Sequence, residues 1–535
     1  MSIDVTTPDG GANAGPPKRG RRTLWVAAGV VGLTGVVGLA ALGGVVTRDD
    51  ETAGSAGQTE ATEAQANTRQ NVGDAGDAGP TKAGTANDSQ GEGKWSGGDQ
   101  SGRDDHRNPA HRAKNIPCNS DKLIQAIVHA NQNRGGELAL AKGCTYELTR
   151  SVHGNGLPVI KEPIVLKGYD TKIVRAANAE HFRIFNVGRD GHLTLQGVTV
   201  KGGQTTPRWD YYPTLEAAPP LTLSAQDGVA RVTKPTVAGS TAAGAVGRHG
   251  DGAGILVQRG GEANIQDSSV VLNHGRNGGG IANYGTTTIR KSSVEHNSAT
   301  GFGGGVFNVG VLRIEWAKIE QNNARLGGGG FANGSLGFGD KGGTVWVWRS
   351  TISHNQTLGL AGGILDRSGD TSVTRSEVTE NTAGRDAGGV LGVDGSRLYL
   401  EEVVIERNVA TGVAGGLAVA DDATAILEKS VLKENVAEGV GGAGLFNAQA
   451  YVTLRDSEIV GNRAIGPFAV GGGIVNAFGQ VSLIRSTVTG NFATTPPGGI
   501  FTTDDGVEID EKSAVKKNRP TNCTGSPVIP ERCFG

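Results

Sequence analysis

Aromatic and sulfur-containing residues are scarce in this sequence, and neither sign of charge predominates. Aromatics make up 5% of the 535 residues, and there are only 4 Cys and 1 Met. The formal net charge of -2 gives no reason to expect a nucleic-acid partner or a uniformly charged substrate. The cysteines show no spacing typical of a zinc site. Glycine is abundant instead, at 88 residues, but lacks the every-third-residue period of collagen.

Long apolar runs are also absent, with one exception. Residues 23–46 contain no charged residue. A run of this length can span a bilayer. The basic cluster ending at Arg22 should keep residues 1–22 in the cytoplasm and place the rest outside. Arg21-Arg22-Thr23-Leu24-Trp25 resembles a twin-arginine export signal, and Ala41-Leu42-Gly43 is a passable cleavage site. Residues 23–46 are therefore either an uncleaved transmembrane helix in the cell membrane or a cleaved signal of a secreted protein.

The rest of the chain divides into a linker and one long folded region. Residues 47–113 have almost no large apolar side chain, which predicts a disordered linker. Residues 114–535 are predicted to fold. At their start, Ser120 can cap a short amphipathic helix that covers the open end of a solenoid core, with one apolar face formed by Leu123, Ile124, Ile127 and Val128.

The four cysteines lie at the two ends of the folded region. In an exported chain we expect two disulfides, each of which stabilises one end. Free thiols are the alternative. The expected pairs are Cys118 with Cys144 and Cys523 with Cys533.

From about residue 250 to the C-terminus, the chain repeats one pattern. A series of asparagines marks the repeats. An apolar, mostly β-branched residue lies three positions before each asparagine, and a small polar residue usually lies five positions before the same asparagine. Such short segments, separated by Gly and Asn, predict an all-β parallel β-helix solenoid with one coil per repeat. Stacked asparagines can form a ladder between coils, and Asn tolerates the left-handed backbone of a sharp turn. The series is Asn273, Asn297, Asn322, Asn355, Asn381, Asn408, Asn435, Asn462, Asn491 and Asn518.

A second asparagine column follows the glycine clusters and is interrupted in the middle coils by Asp366, Gly392 and Val419. Asp394 and Asp421 share one offset in adjacent coils, so stacking would bring their carboxylates about 5 Å apart. Protonation of one acid, or a cation between them, would relieve the repulsion. We therefore treat Asp394, Asp421 and Asp422 as candidate Ca²⁺ ligands. The same pairing of acids is used in glycoside cleavage, which makes Asp366, Asp394 and Asp421 candidate catalytic residues. Aspartates that only form turns are the alternative.

Residues 204–249 interrupt the repeats as an insertion loop. Insertions in repeat proteins often lie on the binding face. Trp209, Tyr211 and Tyr212 are candidate ligand-binding residues there, since exposed aromatic rings can stack on sugars. Packing of these rings against the body of the protein is the alternative.

Several motifs resemble those of a known family. These are the Gly143-Cys144-Thr145-Tyr146 segment, the S-x-V-x-x-N and G-G-G-I-x-N repeats and the terminal cysteine pair. They resemble exported right-handed parallel β-helix proteins of the pectate-lyase-like superfamily, and the repeats are similar to those of polymorphic outer-membrane-type adhesins. The resemblance covers about residues 116–535 and implies a right-handed coil. Lyases of this fold use an arginine to pair a uronate or act as a base, which makes Arg367 a further catalytic candidate.

The functional expectation is a non-catalytic scaffold outside the cytoplasm that binds a polysaccharide or another cell-envelope ligand. The alternative is a polysaccharide lyase or glycoside hydrolase that uses Asp366, Arg367, Asp394 and Asp421 in the middle coils.

Overall fold

The computed structural model describes residues 113–205, 223–226, 229–232, 250–335 and 339–535. The predicted cytoplasmic tail, the transmembrane segment and, apart from residue 113, the linker lie outside these ranges, as do Trp209, Tyr211 and Tyr212. In the ranges that are described, no helix has both the length and the apolar character needed to cross a membrane.

The predicted N-terminal helix is present and runs over Ser120–Gln132. Its cap is Asn119, whose backbone is extended and whose side chain accepts a hydrogen bond from the backbone N of Lys122 at 3.0 Å. The prediction that Ser120 is the cap is therefore wrong. Ser120 instead donates to the backbone carbonyl of Glu147 at 2.7 Å, which ties the helix to the first coil. The buried face also differs from the prediction, since Val128 is 41% exposed and the buried residues are Leu123, Ala126, Ile127 and Ala130.

Apart from one hairpin in the insertion, the strands of the described residues form a parallel β-solenoid of about 13 turns. Its widest sheet starts with Lys114–Ile116, Gly136–Leu140, Thr145–Leu148, Pro163–Arg175 and His192–Lys201. Each later coil adds a first strand to this sheet: Glu262–Gln266, Thr286–Arg290, Val311–Glu315, Thr344–Trp348, Asp370–Thr374, Arg397–Glu401, Thr424–Glu428, Tyr451–Arg455, Gln480–Ile484 and Val507–Ile509. Each also adds a second strand: Ser269–Val271, Ser293–Glu295, Lys318–Glu320, Thr351–Ser353, Glu377–Thr379, Val404–Glu406, Val431–Lys433, Glu458–Val460, Thr487–Thr489 and Ala514–Lys516.

Two narrower parallel sheets close each coil. The second sheet consists of two-residue strands: His274–Gly275, Ser298–Ala299, Asn323–Ala324, Gln356–Thr357, Thr382–Ala383, Val409–Ala410, Val436–Ala437, Arg463–Ala464 and Phe492–Ala493. The third sheet consists of Phe185–Val187, Ile255–Val257, Ile281–Asn283, Val306–Asn308, Phe331–Asn333, Ile364–Arg367, Val390–Val393, Leu417–Ala420, Leu445–Ala448, Ile474–Ala477 and Ile500–Thr502. In the insertion, Leu223–Gln226 and Val229–Val232 pair as an antiparallel hairpin.

The strands stack residue on residue, as the repeat predicts. Val294, for example, pairs with Ile319, and Ile319 pairs with Ile352. These side chains are fully buried because alternate residues of a strand point inward, where the apolar column fills the core. The all-β parallel solenoid fold is thereby confirmed. The right-handed coil stays a prediction.

The asparagine ladder is confirmed along its whole predicted length. The side-chain amide of Asn381, for example, donates to Oδ1 of Asn408 at 2.9 Å and to the backbone carbonyl of Ile352 at 2.9 Å. Its own Oδ1 accepts from the backbone N and the Nδ2 of Asn355, both at 3.0 Å. Asn522, which the sequence pattern did not reveal, ends the ladder by accepting from Asn518. Each buried amide therefore has partners in the coils on both sides.

The left-handed backbone at this turn belongs to the residue before each asparagine and not to the asparagine, although Asn tolerates that geometry. His296 and His354, both at φ 54°, occupy this position. The asparagine stays in ordinary backbone geometry because its side chain is needed inside for the ladder. The side chain of the residue before each asparagine points outward, so residues of any polarity are accommodated at that position.

Both predicted disulfides are present. Cys118 is bonded to Cys144 with their Cα atoms 5.7 Å apart, and Cys523 to Cys533 with theirs 6.0 Å apart. The first links the capping helix region to the first coils, and the second closes the C-terminal segment.

The third sheet has no exposed outer face. Its outward side chains, among them Phe307, Leu365 and Phe446, are buried under the loops that follow the second sheet, which contribute Phe302 and Leu360. The wide sheet is therefore the broad exposed surface of the solenoid among the described residues. Outward side chains on that sheet are the ones that can reach a large ligand.

Candidate functional site

Asp366 is fully buried and ends the first stretch of the second asparagine column. The Nδ2 of Asn333 donates to its Oδ2 at 3.1 Å, and the backbone N of Gly369 donates to its Oδ1 at 2.9 Å. Thr371 also donates its hydroxyl to Oδ2. An amide at this position would need an acceptor in the next coil, where Gly392 has no side chain. Asp366 therefore serves as a terminal acceptor inside the solenoid, out of contact with the surface.

Burial raises the pKa of Asp366 from 3.8 to about 6, although hydrogen bonds from Thr371, Asn333 and Gly369 act to lower it. A carboxyl whose pKa is raised on folding favours the folded state most at low pH, and this contribution is lost as the pH rises from about 4 to about 6. We expect Asp366→Asn to remove this dependence. Between pH 4 and pH 7, the unfolding free energy of wild type should therefore fall by about 3 kcal/mol relative to that of the variant.

Denaturant unfolding at a series of pH values checks this expectation. Thr371→Val, which removes a donor that stabilises the charged carboxylate, should move the window to higher pH. If the unfolding free energies of Asp366→Asn and wild type differ by the same amount at every pH, a buried carboxyl that titrates near pH 6 is contradicted.

The other candidate acids lie at the corner that follows the third sheet. Asp394 and Asp421 stack in adjacent coils as predicted, with the backbone N of Gly395 donating to the carbonyl of Asp421 at 2.9 Å. Asp394, Asp421 and Asp422 all have left-handed backbone, with φ of 54°, 56° and 59°. The side chain of Asp394 accepts from Nε of Arg367 at 2.7 Å. The nearest charge partner of Asp394 is thus a cation of the previous coil.

The assignment of Asp394, Asp421 and Asp422 as Ca²⁺ ligands stays a prediction. In the parts of the chain that the structure describes, no three His, Cys, Asp or Glu side chains are grouped closely enough to hold a metal ion. Arg367 neutralises Asp394 from the preceding coil, whereas Asp421 is on the following coil. The catalytic assignment of Asp366, Arg367, Asp394 and Asp421 stays a prediction.

A buried charge cluster lies where the insertion rejoins the solenoid. Asp251 is fully buried, and both its carboxylate oxygens accept from Arg276, at 2.8 and 3.0 Å. The hydroxyl of Tyr284 donates to the same carboxylate at 2.5 Å, and the backbone N of Asn277 donates to it at 3.2 Å. Burial lowers the pKa of Arg183, and the charge of Asp251 opposes that shift. This network joins the end of the insertion to the coils beside it.

Three tryptophans form an exposed patch on the side of the wide sheet, which we call the aromatic face. Trp346 and Trp348 are on the strand Thr344–Trp348, and Trp316 is in the turn between Val311–Glu315 and Lys318–Glu320. Trp316 and Trp346 are 38% and 42% exposed, and the ring centroids of Trp316 and Trp348 lie 4.3 Å apart. Each ring has an arginine over it: Arg290 at 5.5 Å from Trp316, Arg313 at 4.7 Å from Trp346 and Arg349 at 4.9 Å from Trp348. Stacked arginines hold the rings in place at little entropic cost on binding.

Next to the aromatic face is a depression of about 290 Å³ that runs over four coils, from Trp346 past Ser372 and Tyr399 to Ile426. We call the part of it between Trp346 and Tyr399 the slot, with Ser372 on the intervening coil. Asp370 and Arg397 line one side and form a bidentate ion pair, with Arg397 Nη2 at 2.7 Å from Asp370 Oδ2. Aromatic ends and polar sides are the ordinary composition of a small-ligand site.

The sequence contains a signal for the aromatic face. Thr344-Val345-Trp346-Val347-Trp348 alternates, with the valines buried and the tryptophans outward. The stacking of Trp346, Ser372 and Tyr399 also follows from the repeat, because each lies nine positions before a ladder asparagine. The depression beside them appears only in the folded structure.

Comparison with known proteins yields little. No family model matches the chain, and no curated protein matches it. Among solved structures, the crystal structure of PfbA, a surface adhesin of Streptococcus pneumoniae, is similar at 10% sequence identity. That match covers 72% of this chain and 90% of the other, with a TM-score of 0.31. These comparisons assign the chain to no family.

Proposed function

We propose that this protein is a non-catalytic β-solenoid scaffold outside the cytoplasm that binds carbohydrate on the outer face of its wide sheet. The observation that carries the proposal is the aromatic face, where Trp316, Trp346 and Trp348 are presented to solvent on adjacent coils with arginines stacked over them. Large exposed aromatics on a rigid sheet are typical of interaction surfaces, because they bind without first having to be ordered.

The disulfides support a location outside the cytoplasm, since such bonds persist in oxidising compartments. In this proposal, residues 23–46 hold the protein at the cell membrane, or export it if they are cleaved. The right-handed coil and membership of the pectate-lyase-like superfamily belong to the same proposal. The polysaccharide or cell-envelope ligand would meet the solenoid side-on, along its stacked coils.

The positions of the acidic residues favour binding over catalysis. Asp366 is buried inside the solenoid, and Asp394 is paired with Arg367. Glycoside hydrolysis needs two accessible carboxyl groups on either side of the scissile bond. A lyase or hydrolase that uses these residues is the alternative that the experiment below distinguishes.

Sedimentation of the full chain, held in detergent, with insoluble cellulose, xylan, mannan and calcium-gelled polygalacturonate tests the proposal. We expect retention on at least one polysaccharide, with no new reducing ends and no unsaturated products in the supernatant, with or without calcium. Combined Trp316→Ala, Trp346→Ala and Trp348→Ala should abolish that retention. Release of oligosaccharides by the full chain would show an enzyme, and retention on none of the polysaccharides would contradict carbohydrate binding.

A further inference from the structure

The width of the slot is set by the solenoid itself. Trp346 pairs with Ser372, and Ser372 pairs with Tyr399, so the two aromatic residues are separated by two coil steps. At about 4.8 Å per step their backbones lie about 10 Å apart. One saturated six-membered ring in van der Waals contact with an aromatic ring on each side needs about 8 Å between the two aromatic rings, so this spacing admits one such ring but not two. Ser372 leaves this space open because its side chain is small.

Both ends of the slot are held from outside. Arg313 lies over Trp346 at 4.7 Å from the side of the preceding coil, which leaves the opposite ring face toward Ser372. The hydroxyl of Tyr399 donates to Glu428 on the following coil at 3.0 Å. Burial and this contact raise the pKa of Tyr399 to about 12, so the hydroxyl stays protonated and the hydrogen bond persists at neutral pH. The two rings are therefore positioned before a ligand arrives.

The side of the slot supplies hydrogen bonds to a polar ligand edge. Asp370 and Arg397 belong to the coils of Ser372 and Tyr399 and bridge them through their ion pair. A paired carboxylate keeps free lone pairs, and a guanidinium keeps further N–H groups, so together they can accept from and donate to neighbouring hydroxyls. Because the two charges cancel, this edge favours a neutral ligand over an anionic one.

Sugars differ in how many apolar faces they present. A pyranose with all its substituents equatorial has C–H groups on both faces and hydroxyls only around its rim. An axial hydroxyl, as in mannose or galactose, makes one of the two faces polar. A slot with aromatic residues at both ends and polar groups at the side therefore matches the all-equatorial ring.

We infer that the slot between Trp346 and Tyr399 binds one uncharged, all-equatorial pyranose unit of a β-linked glucan or xylan, with each face of the sugar against one ring. This inference rests on the proposed function and names the sugar class that the carbohydrate-binding surface takes.

Two measurements on the full chain test the inference. One is calorimetric titration with cellohexaose and with mannohexaose, and the other is sedimentation with cellulose and with mannan. Wild type should bind the gluco-oligosaccharide at least about tenfold more tightly than the manno-oligosaccharide. Trp346→Ala should weaken binding roughly tenfold or more by removing one ring, and Ser372→Phe should do so by filling the slot. Tyr169→Ala is the matched control, since Tyr169 is a 67% exposed aromatic on the same sheet, has a cation over its ring and lies several coils from the slot, and its loss should leave binding unchanged.

The outcomes separate this inference from the proposed function. If wild type binds a glucan and both Trp346→Ala and Ser372→Phe bind it equally well, the slot is not the site, although the scaffold proposal stands. If mannan binds as tightly as cellulose, the ring-geometry argument is overturned while carbohydrate binding stands. If no polysaccharide is retained, both the inference and the proposed function fail.

Discussion

Replacing Asn381 with alanine is expected to lower the free energy of unfolding by about 3–5 kcal/mol. The side chain accepts from the backbone N and the Nδ2 of Asn355 and donates to Ile352 and Asn408, all inside the solenoid. Alanine would leave the donors of Asn355 and the carbonyl of Ile352 buried without these partners. Each buried polar group deprived of its hydrogen bond costs about 1–3 kcal/mol.

Ser376→Ala, in the same coil, is the matched control. The hydroxyl of Ser376 accepts from the backbone N of Ser350 at 3.0 Å, so it also links two coils. Its column, however, already contains Ala317 and Val403 at equivalent positions. We expect a loss of about 1 kcal/mol, as for a single hydrogen bond. Denaturant unfolding of the two variants measures the difference, and equal losses would contradict the view that the asparagine column has the larger structural role.

Asp251→Ala is expected to destabilise the protein by about 3–5 kcal/mol, the usual effect of removing one partner from a buried ion pair. The carboxylate is fully buried and accepts from Arg276 and Tyr284, which tie the end of the insertion to the next coil. Asp251→Asn keeps the shape and one acceptor but removes the charge, so its effect should be smaller but still clear.

The control for Asp251 is an ion pair of similar geometry on the surface. Asp456 accepts from Arg485 through both carboxylate oxygens, at 2.7 and 2.6 Å, but the pair is exposed to solvent. Asp456→Ala should therefore change the thermal midpoint little, because water and salt screen an exposed pair. A large shift for Asp456→Ala, or none for Asp251→Ala, would show that burial does not set the value of these contacts.

The two predictions bear on function because they concern how rigidly the binding face is held. The wide sheet presents its tryptophans at a spacing determined by the stacking of coils, and the asparagine ladder maintains that stacking from inside. A local loss of ladder contacts near Asn355 should therefore also weaken sugar binding at the slot, while the surface pair of Asp456 and Arg485 should not affect it.

The repeat pattern was enough to predict the parallel solenoid, because residues at one offset must stack when coils have nearly equal length. The unbroken Asn273–Asn518 series therefore predicted the ladder itself, and cysteines at the ends of the folded region predicted both disulfides. The sequence did not reveal which residue of each turn has left-handed backbone. Both Asn and the residue before it tolerate that geometry, and the choice falls on the preceding residue because the ladder needs the Asn side chain inside.

Tertiary structure decided which stacked positions form the candidate site. Arg313, Trp346, Ser372 and Tyr399 each lie nine positions before an asparagine of the ladder, so the repeat already implies that they stack. The spacing does not show that this column faces solvent, or that a depression lies along it. The same applies to Asp366, which looked like an accessible acid in an interrupted column. Its carboxylate is instead buried as the last acceptor of an amide ladder, because the side chains of that column point into the solenoid. Only the folded coil determines whether the side chains of a column point inward or outward.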